Sequence, residues 1–163
     1  MTDDTMFPVY TFPLKNNEHR VIDGDTVVVE IDRGWGDRKK TALRLNGLDA
    51  PESRTRKNLL ERQAGKLVTK VVLKWFEDQG NRQLYASSDT RPKYAGRTVG
   101  RIWAGGYGQC LNTYLVDQGL VVEYHGGKKA AWSQTKLKAV IRAANKILND
   151  DAVTELGDLA RDD

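Results

Sequence analysis

The chain has 163 residues, 39% hydrophobic and 29% charged, with a formal net charge of +4. That composition fits one water-facing domain with a core of its own, and no window approaches the apolar run a membrane span needs. A single cysteine, Cys110, excludes an internal disulfide and a multi-cysteine metal site, and with two histidines, His19 and His125, a histidine-built zinc site is not expected, so oxygen is the metal donor that remains.

Met1 to Met6 is acidic and lacks the basic start and apolar core of a secretory leader. A cytoplasmic location is therefore expected, although a mature secreted chain stripped of its leader would read the same. Val9-Tyr10-Thr11-Phe12 reads as extended within an N-terminal extension, residues 1–19, and Lys15-Asn16-Asn17-Glu18 as a loop. Val21 and Ile22 lead into Asp23-Gly24, a hairpin-turn signal, and Thr26 to Ile31 is β-branched enough to predict a strand. Gly34-Trp35-Gly36-Asp37 turns the chain, and Thr41-Ala42-Leu43-Arg44-Leu45 alternates as the returning strand. Leu60, Ala64, Leu67, Val68, Val71 and Trp75 recur on one helical face, which predicts a helix from about Asn58 to Trp75, broken by Gln79-Gly80-Asn81. Strands are expected at Gln83–Ser87 and Thr98–Trp103, and a short helix around Leu111, Leu115 and Val116 stops at Gly119. Leu120 to Tyr124 runs extended, and Ser133 caps a last helix striped by Leu137, Val140, Ile141, Ala144, Ile147 and Leu148.

The tail, residues 150–163, holds six acids against Arg161, so residues 1–149 carry 25 basic and 16 acidic residues, a net +9. Such a body attracts polyanions, of which nucleic acid is the commonest. Charge alone gives a merely solvated basic surface equal weight. The tail itself fits a disordered segment, a shield over a basic groove, or a further helix through Val153, Leu156 and Leu159.

Chemistry concentrates between Asp23 and Glu52. An Asp-Gly turn needs one acid, and a second one, Asp25, directly before a β-branched strand is poorly explained by turn chemistry. Asp49-Ala50-Pro51-Glu52 forms a second acidic strand end, and a hairpin can lay the two side by side. Asp25, Asp49 and a backbone carbonyl such as that of Ala50 would then suit one hard cation such as Ca²⁺, with Glu52 near enough to hold a water. Alternation puts Arg44 on the face opposite Leu43, Leu45, Gly47 and Asp49, so Arg44 and Asp49 can share a site only if the strand breaks register, most simply at Gly47. Arg97 is a second guanidinium suited to paired phosphate oxygens, and Lys93 and Tyr94 beside it offer a point charge and a stacking ring for a single strand. Tyr124 is a second aromatic platform or a half-buried strand tyrosine.

Val21-Ile22-Asp23-Gly24-Asp25-Thr26, Leu43-Arg44-Leu45 through Asp49-Ala50-Pro51-Glu52, Lys93-Tyr94-Ala95-Gly96-Arg97, and Leu111-Asn112 to Gln118-Gly119-Leu120 together resemble the staphylococcal-nuclease-like (thermonuclease) family. The resemblance spans about residues 20 to 149, and the order of the pieces makes it specific. It implies an α+β fold, a five-stranded OB-type β-barrel with three packed helices, over residues 20–149, followed by the acidic tail. It also implies a Ca²⁺-dependent phosphodiesterase acting on DNA and RNA and leaving 3′-phosphate ends, expected here as a monomer without a membrane partner and with single strands preferred. By resemblance Asp25, Asp49 and the Ala50 carbonyl ligate one calcium ion and Asp23 lies close to it. Glu52 handles the attacking water, as base or as orienter, and Arg44 and Arg97 grip the phosphate.

Two features depart from the family pattern. Ala95 intervenes before Gly96-Arg97, which leaves Arg101 as an alternative to Arg97, and the basic stretch after Glu52 is short. Tyr124 aligns only approximately with the family tyrosine after Gly119-Leu120. The rival reading is an OB-fold module that binds single strands without cutting them, recognisable by salt-sensitive binding that ignores calcium. Carboxylates facing a phosphate chain favour the enzyme, since a pure binder has no use for them.

Overall fold

Residues 6–11, 21–80, 82–88, 98–105 and 109–159 are described in the computed structural model, with side chains described only from 21 to 149 among them. The β-branched run forms strand β3 (Thr26–Asp32), which returns as β4 (Arg38–Leu45) in antiparallel register, Val27 opposite Leu43 and Thr26 opposite Arg44. Val27, Val28 and Val29 are all buried, so β3 is covered on both faces, whereas β4 alternates buried Leu43 and Leu45 with the half-buried Arg44 between them. The turn joining them is closed by Arg33 N–H donating to the Asp37 carbonyl at 2.8 Å.

Around this hairpin lie β1 (Met6–Thr11), β2 (Val21–Asp23), β6 (Leu84–Ser87), β7 (Thr98–Ala104) and β8 (Gln109–Cys110), and elsewhere in the chain β5 (Leu48–Asp49) and β9 (Val122–Glu123). The main sheet has seven strands in the order β1-β6-β7-β4-β3-β2, with β8 beside β7 and a further β1–β3 pairing. Among the described residues only the β4–β7 pairing of this sheet is parallel. β5 and β9 form a separate two-stranded sheet.

The expected five-stranded OB-type barrel is thus corrected to a mixed seven-stranded sheet plus this two-stranded one. The reason lies in where the strands break and with which segments they pair. The chain interrupts its ladder at Gly24-Asp25 and at Asn46-Gly47, which cuts off β2 and β5 as short strands. Of the extended stretch Leu120–Tyr124, only Val122 and Glu123 enter a ladder, and their partner is β5, while Leu120 and Val121 are buried outside it.

Among the described residues there are three helices, as expected. α1 (Leu59–Gln79) starts at Asn58, whose Oδ1 accepts from Glu61 N–H, and ends at Gly80 with φ 57°. Its buried face, Ala64, Val68, Val71, Val72, Trp75 and Phe76, packs on α3 (Gln134–Leu159) through Leu137, Val140 and Ala144. α3 begins at Ser133, whose Oγ accepts from Lys136 N–H, and runs through Asp150 to Leu159. Of the three forms open to the tail, helix is the one seen as far as Leu159. α2 (Leu111–Asp117) buries Leu111, Asn112 and Leu115. Asn112 Nδ2 donates to the Asn46 and Gly100 carbonyls at 3.0 and 3.1 Å and so ties the Asn46-Gly47 turn to β7.

Two glycines let α1 approach the acidic segments. A Cβ on Gly24 would overlap Val68 Cγ1, and one on Gly65 would lie 2.6 Å from both the Pro51 carbonyl oxygen and Ser53 N. Gly65→Ala is the sharper test because two effects oppose. Alanine in a helix interior gains about 1 kcal/mol over glycine, while overpacking against rigid backbone costs about 1–3 kcal/mol. We predict net destabilisation, read as a lower urea midpoint at unchanged slope, and a stabilised variant would refute the close packing.

Candidate functional site

The acidic cluster is assembled by the β2–β3 turn, the end of β4 and the β5 segment. Asp25 and Asp49 are both buried. Asp25 Oδ1 accepts from Thr26 Oγ1 at 3.0 Å and its Oδ2 from Ala50 N–H at 3.0 Å, so the first acidic turn is bonded directly to the second. Gly47, with φ +81°, breaks the β4 register as the parity of the strand requires. Arg44 consequently reaches both acids. Its Nη1 lies 2.6 Å from Asp25 Oδ2 and its Nη2 3.6 Å from Asp49 Oδ1, while Nη2 also donates to the Leu48 carbonyl at 3.2 Å. The Nη1 approach is close but off the hydrogen-bond axis, and Nη1 is buried without an aligned acceptor among the described residues. The contact is therefore chiefly one of charge with charge.

Asp49 is held from its other side. β5 pairs with β9, Asp49 opposite Val122, and Lys129 Nζ sits 2.8 Å from Asp49 Oδ1. Asp23 bonds to a different partner, its Oδ1 accepting from both the amide and the hydroxyl of Ser53. Glu52 is exposed, with its backbone N–H donating to Glu61 Oε1 at 3.2 Å. A cavity of about 660 Å³ collects these groups, lined among others by Asp23, Asp25, Arg44, Asp49, Ala50 and Glu52.

The structure thus brings together Asp23, Asp25, Arg44, Asp49, Ala50 and Glu52. Lys93, Tyr94 and Arg97 lie outside the described residues. Thr98, which follows Arg97, pairs with Leu43 next to Arg44, and the hydroxyls of Thr41 and Thr98 are 3.0 Å apart. Arg101, the alternative to Arg97, lines a different and smaller cavity with Asn46, Asn112 and His125. Tyr124 is half-buried just past β9, its N–H donating to the Gly47 carbonyl and its hydroxyl to that of Gly127. Sequence reasoning missed Lys129, Trp132, Asn58 and Glu61, which line the same cavity. The pair Gly126-Gly127 ahead of Lys128-Lys129 was the available signal for the first of these.

Among the described residues no group of three or more His, Cys, Asp or Glu side chains is placed to hold a metal ion. The oxygens that do converge are two buried carboxylates beside the Ala50 backbone, a hard donor set that fits an ion keeping several of its waters. Arg44 and Lys129 now compensate their charge.

Against this geometry, the model of the family described as "Staphylococcal nuclease homologue" matches residues 42–148. The chain belongs to that family. A protein of Staphylococcus intermedius named thermonuclease is 34% identical over 101 residues, which is 62% of this chain and 54% of that protein. The chain thus aligns with about half of that relative's length. The family match includes Arg44, Asp49, Ala50 and Glu52 and begins after Asp23 and Asp25. No described helix is long and apolar enough to cross a membrane.

Removing one member of a buried ion cluster strands the others, typically at about 3–5 kcal/mol. Arg44→Met should therefore lower unfolding free energy by about 3 kcal/mol. Adding Asp25→Asn to Arg44→Met should recover part of that loss, because the amide is no longer an unpaired charge. Urea denaturation of the two single variants and the double variant measures the coupling, and strictly additive losses would refute the direct Arg44–Asp25 interaction.

Proposed function

We propose that this protein is a calcium-dependent phosphodiesterase that hydrolyses DNA and RNA, single strands preferentially, and leaves 3′-phosphate ends. The observation that carries the proposal is the convergence of Asp25 and Asp49 on the Arg44 guanidinium, in a cavity that Glu52 also lines. Family membership and the likeness to a protein named thermonuclease support the same reading.

Asp25, Asp49 and the Ala50 carbonyl would hold the ion, which when bound neutralises charge on the scissile phosphate. The remaining work falls to the chain. Arg44 is already desolvated and anchored on the Leu48 carbonyl, so its guanidinium needs little reorganisation to meet a phosphate oxygen. By resemblance to the family, Arg97 supplies the second guanidinium. Glu52 is exposed where the acids are buried, as suits a group that orients or deprotonates water. Asp23 acts on the Ser53 backbone and side chain and so positions the segment carrying Glu52. Lys93, Tyr94 and Tyr124 hold the strand by charge and stacking.

The test is incubation with single-stranded DNA, duplex DNA and RNA, in Ca²⁺ or a chelator, followed by end-group analysis. Cleavage is expected in Ca²⁺ alone, and Glu52→Gln and Arg97→Ala should each lower kcat by roughly a hundredfold or more. Intact substrate at high protein concentration in Ca²⁺ would overturn the proposal, and salt-sensitive binding without cleavage would replace it with a binding module.

A further inference from the structure

We infer that Lys129 is a displaceable counter-cation, one that neutralises Asp49 in the ion-free chain and thereby weakens divalent-cation binding at the acidic pair. The inference rests on the metal reading of this site.

Lys129 is put in place by a built turn. Gly126 and Gly127 adopt φ values of 102° and 86°, which side-chain-bearing residues rarely take, and the Tyr124 hydroxyl donates back to the Gly127 carbonyl. The loop so formed delivers Lys129 Nζ to 2.8 Å from Asp49 Oδ1 and 5.5 Å from the centre of the Tyr124 ring. Two separate contacts therefore fix one ammonium, one electrostatic and one with an aromatic face.

The two cations on the cluster differ in how easily they leave. The Arg44 side chain is 14% exposed and bonded to the Leu48 carbonyl, while that of Lys129 is 52% exposed. Arg44 would abandon a buried position, whereas Lys129 need only rotate into water. Asp25 and Asp49 carry two negative charges, already balanced by Arg44 and Lys129. A divalent cation entering beside both would leave the cluster with a net charge of about +2 by formal count, so displacement of the freer one lowers the repulsion. Lys129 and Trp132 both line the cavity, so the released ammonium stays beside it. There it faces the anionic strand that the proposed function places in the cavity.

Calorimetric titration of Ca²⁺ into the full chain without nucleic acid, at fixed ionic strength, tests this. Lys129→Met and Lys129→Gln should each bind Ca²⁺ about three- to tenfold more tightly than the parent chain. Lys128→Met removes the same charge from the neighbouring exposed position and should change affinity by less than about twofold, through screened solvent. Far-UV circular dichroism verifies folding, and the glutamine variant stands in should the methionine variant fail to fold. Ca²⁺ uptake by the parent chain with unchanged or weaker affinity in the Lys129 variants would overturn this inference and leave the metal reading standing. A folded parent chain that takes up no Ca²⁺ would overturn both.

Discussion

Two carboxylates buried on separate turns repel one another and lose hydration together, so Asp25 and Asp49 can share a site only with a cation between or beside them. Arg44 is that cation, and the left-handed conformation of Gly47 is what lets it serve both. Without the register break, alternation would carry the Asp49 side chain to the other face of the strand. A buried ion cluster of this kind is seldom worth more than apolar residues of the same volume. Its presence in the wall of a cavity, beside an otherwise ordinary aliphatic core, is therefore not explained by stability.

The cluster depends in turn on α1. Gly65 and Val68 stand three residues apart on one helical face, the first against the Pro51–Ser53 backbone and the second against Gly24. One rigid element thus sets the positions of both acidic turns, and the Ala50 N–H to Asp25 bond closes the remaining gap. Asn112 performs the corresponding task on the other side by fixing Asn46 to Gly100. Each acid is therefore placed by helix packing and by hydrogen bonds between side chains and backbone, the kind of support a precise site needs.

What could be read from the residues was whatever depends on near neighbours. The apolar stripe from Leu60 to Trp75 revealed α1, which extends to Gln79 because Phe76 is also buried and Gly80 caps the end. Parity along Leu43-Arg44-Leu45 meant that Arg44 and Asp49 could share a site only through a register break, most simply at Gly47, and Gly47 is left-handed. Strand partners were less legible, because pairing is decided between distant segments. Nothing local in Val122-Glu123 says that its ladder runs with Leu48-Asp49 instead of joining the main sheet, and the expected five-stranded barrel failed on such points. The pairing of Lys129 with Asp49 was hard to read for the same reason. The two are 80 residues apart, and only the Gly126-Gly127 turn brings them together.

The segment from Asp49 to Ser53 carries the division of labour within the site. Asp49 is pinned by β9 and by two cations, and Ser53 is buried and bonded to Asp23, so both ends of the segment are fixed. Glu52, between them, has its backbone tied to Glu61 and its side chain in water. An ion ligand benefits from burial and immobility, because a preorganised site loses little entropy on binding. A group that handles water must instead stay hydrated and keep some rotamer freedom. Pro51 separates the two environments within three residues, by holding φ near −65° between the buried Asp49-Ala50 and the exposed Glu52. On the proposed reading, the neighbouring acids of one short segment take different roles because the backbone gives them opposite solvation.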